Sequence, residues 1–198
     1  MKLYHWPNTR SFRPLWLLEE LGIDYELELI DIFSGNRDKH YLQINPNGTL
    51  PTLDDDGFIL YEAGAICMYL TDKFPEQQLA PAINSAARGR YYQWMFFVAA
   101  TLEQPLWQIL YHSKLLPEEK RLPQVVKYSR WFFERAANTL NLELENRKFI
   151  VGDQFTTADI MLASTLQWFP EFNEAYPAIM DYCRRLTARP AYQRAKEK

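Results

Sequence analysis

The stretch "NPNGTLPTLDDDGFILYEAGAICMYL", residues 45 to 70, carries two short strands, the turn between them and the start of a helix. "TLPTL" and "FILY" are apolar runs on either side of Asp56-Gly57, and Asp-Gly between such runs is a hairpin signal, because glycine and aspartate tolerate the positive φ of a tight turn. The following "EAGAICMYLTDKF" has helical spacing and stops at Pro75, which cannot continue a helix. Upstream, "KLYHW" reads as a strand and "RPLWLLEELG" as a helix ended by Gly22. "YELELIDI" alternates apolar and acidic residues in the manner of a half-buried strand. The order is therefore βαβ, room for one more helix, then ββα, which predicts a small mixed sheet covered by helices.

Beyond "FPEQQLAP" the character of the chain changes. From Asn84 onward the alternation and the Asp-Gly turns disappear, and aromatic-rich segments with helical spacing take over. Residues 86–110, 123–145, 157–169 and 177–189 are the candidate helices, with prolines such as Pro105, Pro117, Pro123 and Pro177 punctuating them. The expectation is a mixed α/β domain over residues 1–77 and an all-helical domain over residues 84–198.

Composition narrows the function classes. The 198 residues are 47% hydrophobic and 24% charged with a formal net charge of -3, and no run of like charge is dense enough for nucleic acid or a membrane surface. "MKLYHWPNTR" lacks the apolar core of a signal peptide, and no apolar run is long enough to span a bilayer, so a cytoplasmic protein is expected. The two cysteines, Cys67 and Cys183, form neither a CxxC nor a metal-ligand pattern, so no disulfide framework and no metal are expected. His5, His40 and His112 form no recognisable triad with Ser11.

Three stretches carry chemistry by their own residue types. In "WPNTRSFRP", Thr9 and Ser11 supply hydroxyls and Arg10 a cation just before a helix. Pro14 belongs in that helix's first turn, so the N-cap lies no earlier than about Ser11, and Ser11 reads equally as cap and as functional hydroxyl. At Leu50-Pro51, spacing alone gives an ordinary trans proline at a strand head; a cis bond would leave the Leu50 backbone free to pair with an extended peptide. Glu62 precedes small residues opening a helix, whose amides near Ala63 and Gly64 suit a ligand carboxylate. Glu62 itself suits either the helix dipole or a ligand ammonium. A fourth stretch, "FIVGDQFTTADIMLA", places Thr156 three residues before Asp159, a capping box and hence a folding element.

Taken together and in this order, "NPNGTLPTL", "LYEAGAICMYL" and "FIVGDQFTTADIML" resemble the cytosolic glutathione transferase family, over essentially the whole chain. The opening is most similar to bacterial members, including the beta class, with Arg10 where that class carries a cysteine, and "SFR" is similar to the zeta class. The resemblance implies a thioredoxin-like N-terminal domain followed by an all-helical C-terminal domain, a homodimer, and detoxifying conjugation of glutathione to small hydrophobic electrophiles. By the same resemblance Leu50 pairs with the cysteinyl unit of glutathione, Pro51 is the cis-proline, and Glu62 with Ala63 receives the γ-glutamyl end. Lys39 or Arg37 takes the glycyl carboxylate. Trp6, Phe33, Glu103, Trp107 and Tyr111 are the expected lining of the electrophile pocket.

A thiol of ordinary pKa near 8.5 is mostly protonated at neutral pH, and the thiolate is the nucleophile. Ser11 is the preferred thiolate stabiliser because it sits at the positive helix end, with Thr9 as the alternative and Arg10 as electrostatic support. Two other activities fit the same pattern: a glutathione-dependent isomerase or peroxidase, and a non-catalytic interaction module, the latter suggested by Arg10 and Ala63.

Overall fold

In the computed structural model, described here for residues 1–34 and 39–198, the chain divides into two compact units, Met1–Ala80 with Thr187–Lys198, and Pro81–Leu186. In the first unit, β1 (Lys2–His5), α1 (Phe12–Leu21) and β2 (Glu26–Leu29) form the expected parallel βαβ, and α2 (Lys39–Ile44) follows. The hairpin β3 (Thr52–Asp55) and β4 (Phe58–Tyr61) leads into α3 (Ala63–Lys73). Sheet order is β2-β1-β3-β4, with β3 antiparallel to both of its neighbours. Asp56 and Gly57 both have positive φ, 54° and 90°, the backbone a tight two-residue hairpin requires. Gly22 ends α1 at φ 65°, its amide donating to the Leu18 carbonyl.

Helix α1 is buried over most of its length, through Arg13, Pro14, Leu15, Trp16, Leu17, Leu18 and Leu21. Part of its cover comes from α9 (Pro190–Lys196), which the sequence-based boundary assigns to the helical domain and which instead belongs to the first unit. The Tyr192 ring meets Trp16 edge-on at 4.9 Å and Phe12 at 5.2 Å. Arg189 forks onto Glu20 at 2.6 and 2.8 Å, while Arg194 and Lys198 reach Glu19 at 2.7 and 2.6 Å. The reason is legible afterwards: Glu19-Glu20 is an acidic pair beside two aromatic rings, and the last residues bring the matching cations and a ring.

The second unit is helical. Helix α4 (Ala86–Phe96) runs through a widened π-helical segment, Phe97–Leu102, into α5 (Glu103–Leu110), with a second π segment at Tyr111–Leu115. Pro105 therefore does not break the helix; it sits in the first turn of α5, where a missing amide costs least, after the ladder has changed register. Helix α6 (Pro123–Leu144) opens on a proline at its first position, α7 (Thr157–Leu166) is buried at all ten residues, and α8 (Pro177–Thr187) follows. The start of α7 carries the capping box that Thr156 and Asp159 predict. The buried Asp159 carboxylate accepts the amides of Thr156 (2.8 Å) and Ile150 (2.9 Å) and the hydroxyls of Thr156 (3.0 Å) and Tyr182 (2.7 Å). Among the described residues, no helix is long and apolar enough to cross a membrane, and no cluster of metal-ligating side chains occurs.

Burial alone would raise the Glu19 carboxyl, but hydrogen bonds from Lys198, Tyr25 and Arg194 outweigh it and hold the pKa at about 2, against an ordinary 4.5. A depressed folded-state pKa gives stability that is present above the unfolded value and lost as pH falls through the folded one. The unfolding free energy should therefore fall as pH drops from about 4.5 toward about 2. Urea titrations should show a flatter acid slope over that window for Glu19→Gln than for the native sequence.

Candidate functional site

Strand register decides which loops meet. Parallel pairing sets His5 beside Leu29, and antiparallel pairing sets Tyr4 beside Thr52 and Thr52 beside Tyr61. The end of β1, the end of β2, the start of β3 and the end of β4 consequently share one edge of the sheet. The turn Trp6–Arg10, the Leu50-Pro51 bond, and Glu62-Ala63 all open from that edge, and the chain leaving β2 for Lys39 starts there. Helices α1 and α3 also begin there, so their positive N-terminal ends face the same region.

The β1–α1 turn differs from expectation in one respect. Ser11 is the N-cap by position, its carbonyl accepting from the Leu15 amide at 3.2 Å, as the placement of Pro14 requires. Its side chain, however, makes no capping bond and is 0% exposed. The Oγ lies 2.7 Å from His5 Nδ1 and 2.6 Å from Thr9 Oγ1, and accepts from the Trp6 amide at 3.2 Å. The Oγ of Ser11, the preferred thiolate stabiliser, is thus engaged by His5, Thr9 and the Trp6 amide within the turn. Thr9 and Arg10 are only half-buried, and the Thr9 hydroxyl donates to the Trp6 carbonyl at 2.8 Å.

The Leu50-Pro51 peptide is cis, overriding what spacing alone suggests, and it lies just before β3. Tyr41 of α2 and Asn45 just after that helix grip the chain on both sides of it. The Tyr41 hydroxyl donates to the Thr49 carbonyl at 2.6 Å and lies 2.7 Å from Thr52 Oγ1. Asn45 Nδ2 donates to the same two atoms at 2.9 and 3.0 Å. Sequence reading missed this pair; the signal was two polar residues one helical turn apart, immediately ahead of "NGTLPT". The Leu50 side chain is buried with Tyr4, Ile30 and Tyr41, which anchors the residue while its backbone remains outside the β3 ladder.

Glu62 precedes α3 with φ 75° and ψ 112°, a conformation that L residues rarely adopt, and its side chain is exposed and makes no cap. Ala63 is buried, and the Glu62 carbonyl takes the Ile66 amide at 2.9 Å. Lys39, the first residue of α2, is exposed, whereas Arg37 lies outside the described residues. Of the expected pocket lining, Trp6 packs against the cluster of Tyr4, Ile30, Tyr41 and Leu50, and Phe33 is 60% exposed. In the second unit Trp107 and Tyr111 stack at 5.6 Å, and Glu103 is buried at 4% exposure.

Residues 1–72 match the glutathione S-transferase N-terminal domain and residues 103–190 the glutathione S-transferase C-terminal domain. The chain belongs to the glutathione S-transferase family. It is 30% identical over 201 residues to glutathione S-transferase GstA of Escherichia coli O157:H7, covering 98% of this chain and 96% of that protein. Among solved structures it is similar to a sphingomonad glutathione S-transferase complexed with glutathione, at TM-score 0.89 and 28% identity, over 100% of this chain and 98% of that one. It is also similar to a bacterial beta class transferase of Sphingomonas chungbukensis, at TM-score 0.86 and 25% identity, over the same shares.

In this transferase the strained Glu62 backbone sits where the family match and the sheet edge coincide. Such a conformation costs of order 1–3 kcal/mol, of which a glycine's larger unfolded-state entropy offsets about 0.5–1. Glu62→Gly should raise the unfolding free energy by about 1 kcal/mol in urea titrations while glutathione affinity, measured by calorimetry, falls.

Proposed function

We propose that the sheet edge binds glutathione and that the enzyme adds its thiolate to small hydrophobic electrophiles, as a cytoplasmic detoxifying transferase. The observation that carries this reading is the convergence on one edge of the Leu50 backbone ahead of β3, the start of α3 at Glu62-Ala63, and the hydroxyl-bearing turn before α1. Leu50 offers strand-like pairing to the cysteinyl unit. The first amides of α3 receive the γ-glutamyl carboxylate and Glu62 its ammonium; Lys39 takes the glycyl carboxylate. Ala63 contributes its amide alone, without a side-chain hydroxyl.

The thiol proton leaves to solvent when the sulfur is held as thiolate, and the thiolate then attacks the electrophilic carbon, forming the C–S bond as the leaving group or π electrons depart. Thr9 is the donor to the sulfur, since its hydroxyl is at the half-buried rim and Ser11 is sealed behind it. Arg10 and the N-terminus of α1 add positive potential. The stacked Trp107 and Tyr111, partly exposed, favour an apolar, planar class of electrophile. Thr9→Val should raise the pKa of enzyme-bound glutathione by about one unit and lower turnover at neutral pH about tenfold. An unchanged thiol pKa overturns the role of Thr9, and recovery of glutathione unconsumed would replace conjugation by isomerisation.

A homodimer forms part of the same proposal. Edge strand β4 exposes Phe58 and Tyr61, and α6 exposes Tyr128, Trp131 and Phe132 along an open groove, apolar surface that an interface would cover. Relatives pair the first domain of one subunit with the second of the other, which would cover both patches. Sedimentation should give twice the chain mass, falling to one chain in a Trp131→Glu, Phe132→Glu variant of unchanged helical circular dichroism.

A further inference from the structure

Behind the Thr9 hydroxyl runs a chain of contacts whose three shortest members can all be filled with hydrogens in one way only. His5 Nδ1 lies 2.7 Å from Ser11 Oγ, Ser11 Oγ 2.6 Å from Thr9 Oγ1, and Thr9 Oγ1 2.8 Å from the Trp6 carbonyl. Ser11 Oγ already accepts from the Trp6 amide at 3.2 Å, and Thr9 Oγ1 from the Ser11 amide at 3.3 Å. Each hydroxyl has one hydrogen to give. If the imidazole carries its proton on Nε2, Ser11 must donate to Nδ1. The 2.6 Å contact then takes the Thr9 hydrogen, and the Thr9 and Trp6 oxygens face each other at 2.8 Å with no hydrogen between them. With the proton on Nδ1 the three shortest contacts are filled, His5 donating to Ser11, Ser11 to Thr9 and Thr9 to the Trp6 carbonyl, and only the longer Ser11 Oγ approach to the Trp6 carbonyl, 3.3 Å, is left without a hydrogen.

We propose that His5 is a positioning residue for thiolate formation, its Nδ1 hydrogen setting the direction of the relay through Ser11 so that the Thr9 hydrogen is directed away from the buried serine. This rests on the reading of Thr9 as donor to the sulfur. The Thr9 oxygen accepts from Ser11, which polarises its own O–H, and swinging that hydrogen from the neutral Trp6 carbonyl to a thiolate exchanges a neutral bond for a charge-assisted one. The opposite tautomer would point the Thr9 hydrogen at Ser11, and giving it to sulfur would break the relay. Burial pushes His5 down to about 4, against a weaker opposing hydrogen bond with the Ser11 backbone, so the ring is neutral and its tautomer defined at neutral pH. The motif that reads in sequence as a lone histidine without a triad thus acquires a use.

Nitrogen NMR of the full chain labelled at histidine gives the tautomer directly: protonation at Nδ1 is expected, and protonation at Nε2 overturns the proposal without any variant having to fold. His5→Asn, whose amide nitrogen replaces the Nδ1 donor, should keep the bound thiol pKa and kcat within about threefold of the native values. His5→Leu should raise that thiol pKa by about one unit and lower kcat about tenfold at neutral pH, with KM for glutathione unchanged. Equal damage in both variants, or an unmoved thiol pKa in His5→Leu, overturns it. Thr9→Val separates the two levels: an unmoved thiol pKa there removes the Thr9 reading and this inference together, whereas a raised one with an Nε2-protonated ring removes the inference alone.

Discussion

The pairing of β1 with β2 on one side and with β3 on the other is the constraint from which the site follows. Because His5 pairs with Leu29 and Tyr4 with Thr52, the segments beginning at Trp6, Ile30 and Leu50 leave from the same edge, and the β3–β4 hairpin returns Glu62 to it. A register shift of one residue would turn the buried Leu3 and Leu53 outward and separate these segments at once. The sheet has only four short strands, so its register is reinforced from outside: α1 and α3 bury Leu15, Leu18, Ile66 and Leu70. The Tyr41 and Asn45 bonds also pin the head of β3.

On that frame the candidate site is assembled from groups in unfavourable states. Glu62 holds a backbone angle better suited to glycine, and the polar hydroxyl of Ser11 is sealed from water. Each is tolerated because neighbours satisfy it: Ser11 through His5, Thr9 and Trp6, Glu62 because its carbonyl opens the α3 ladder. Compare Asp159, whose carboxylate is as deeply buried and has four donors, yet is a folding element that starts α7 and ties it to Ile150 and to Tyr182 of α8. Burial plus hydrogen bonding does not by itself mark a functional group; what distinguishes the β1–α1 turn is that its network ends at a half-buried hydroxyl on the sheet edge.

Much of this was legible in the chain. Asp56-Gly57 between apolar runs, Gly22 after a leucine pattern, and Thr156 with Asp159 each encode a local backbone state, and local states are what single-sequence reading captures. At Ser11 a cap position and a cap side chain are different things: Pro14 fixes the first, while the side chain turns to His5 at the end of β1, a contact no local pattern encodes. Glu103 was placed at the pocket only by its resemblance to a polar position of some beta-class members, and its burial could not be foreseen because nothing in sequence says which side of a helix is covered. The place of α9 was illegible for a similar reason, since Arg194 finds its partner Glu19 on α1 175 residues away.

That last pairing bears on how the chain is made. Unit 1 is discontinuous, closed only when Thr187–Lys198 reaches α1. During synthesis at about 5–20 residues per second, the edge-on cover of Trp16 and Phe12 by Tyr192 arrives roughly 5–20 s after Ala80 has been added. For that interval the nascent first unit carries two aromatic rings short of a partner and an uncompensated acidic pair. The helical segment must be translated while its predecessor is still unfinished, so Thr187–Lys198 acts as a late latch on α1.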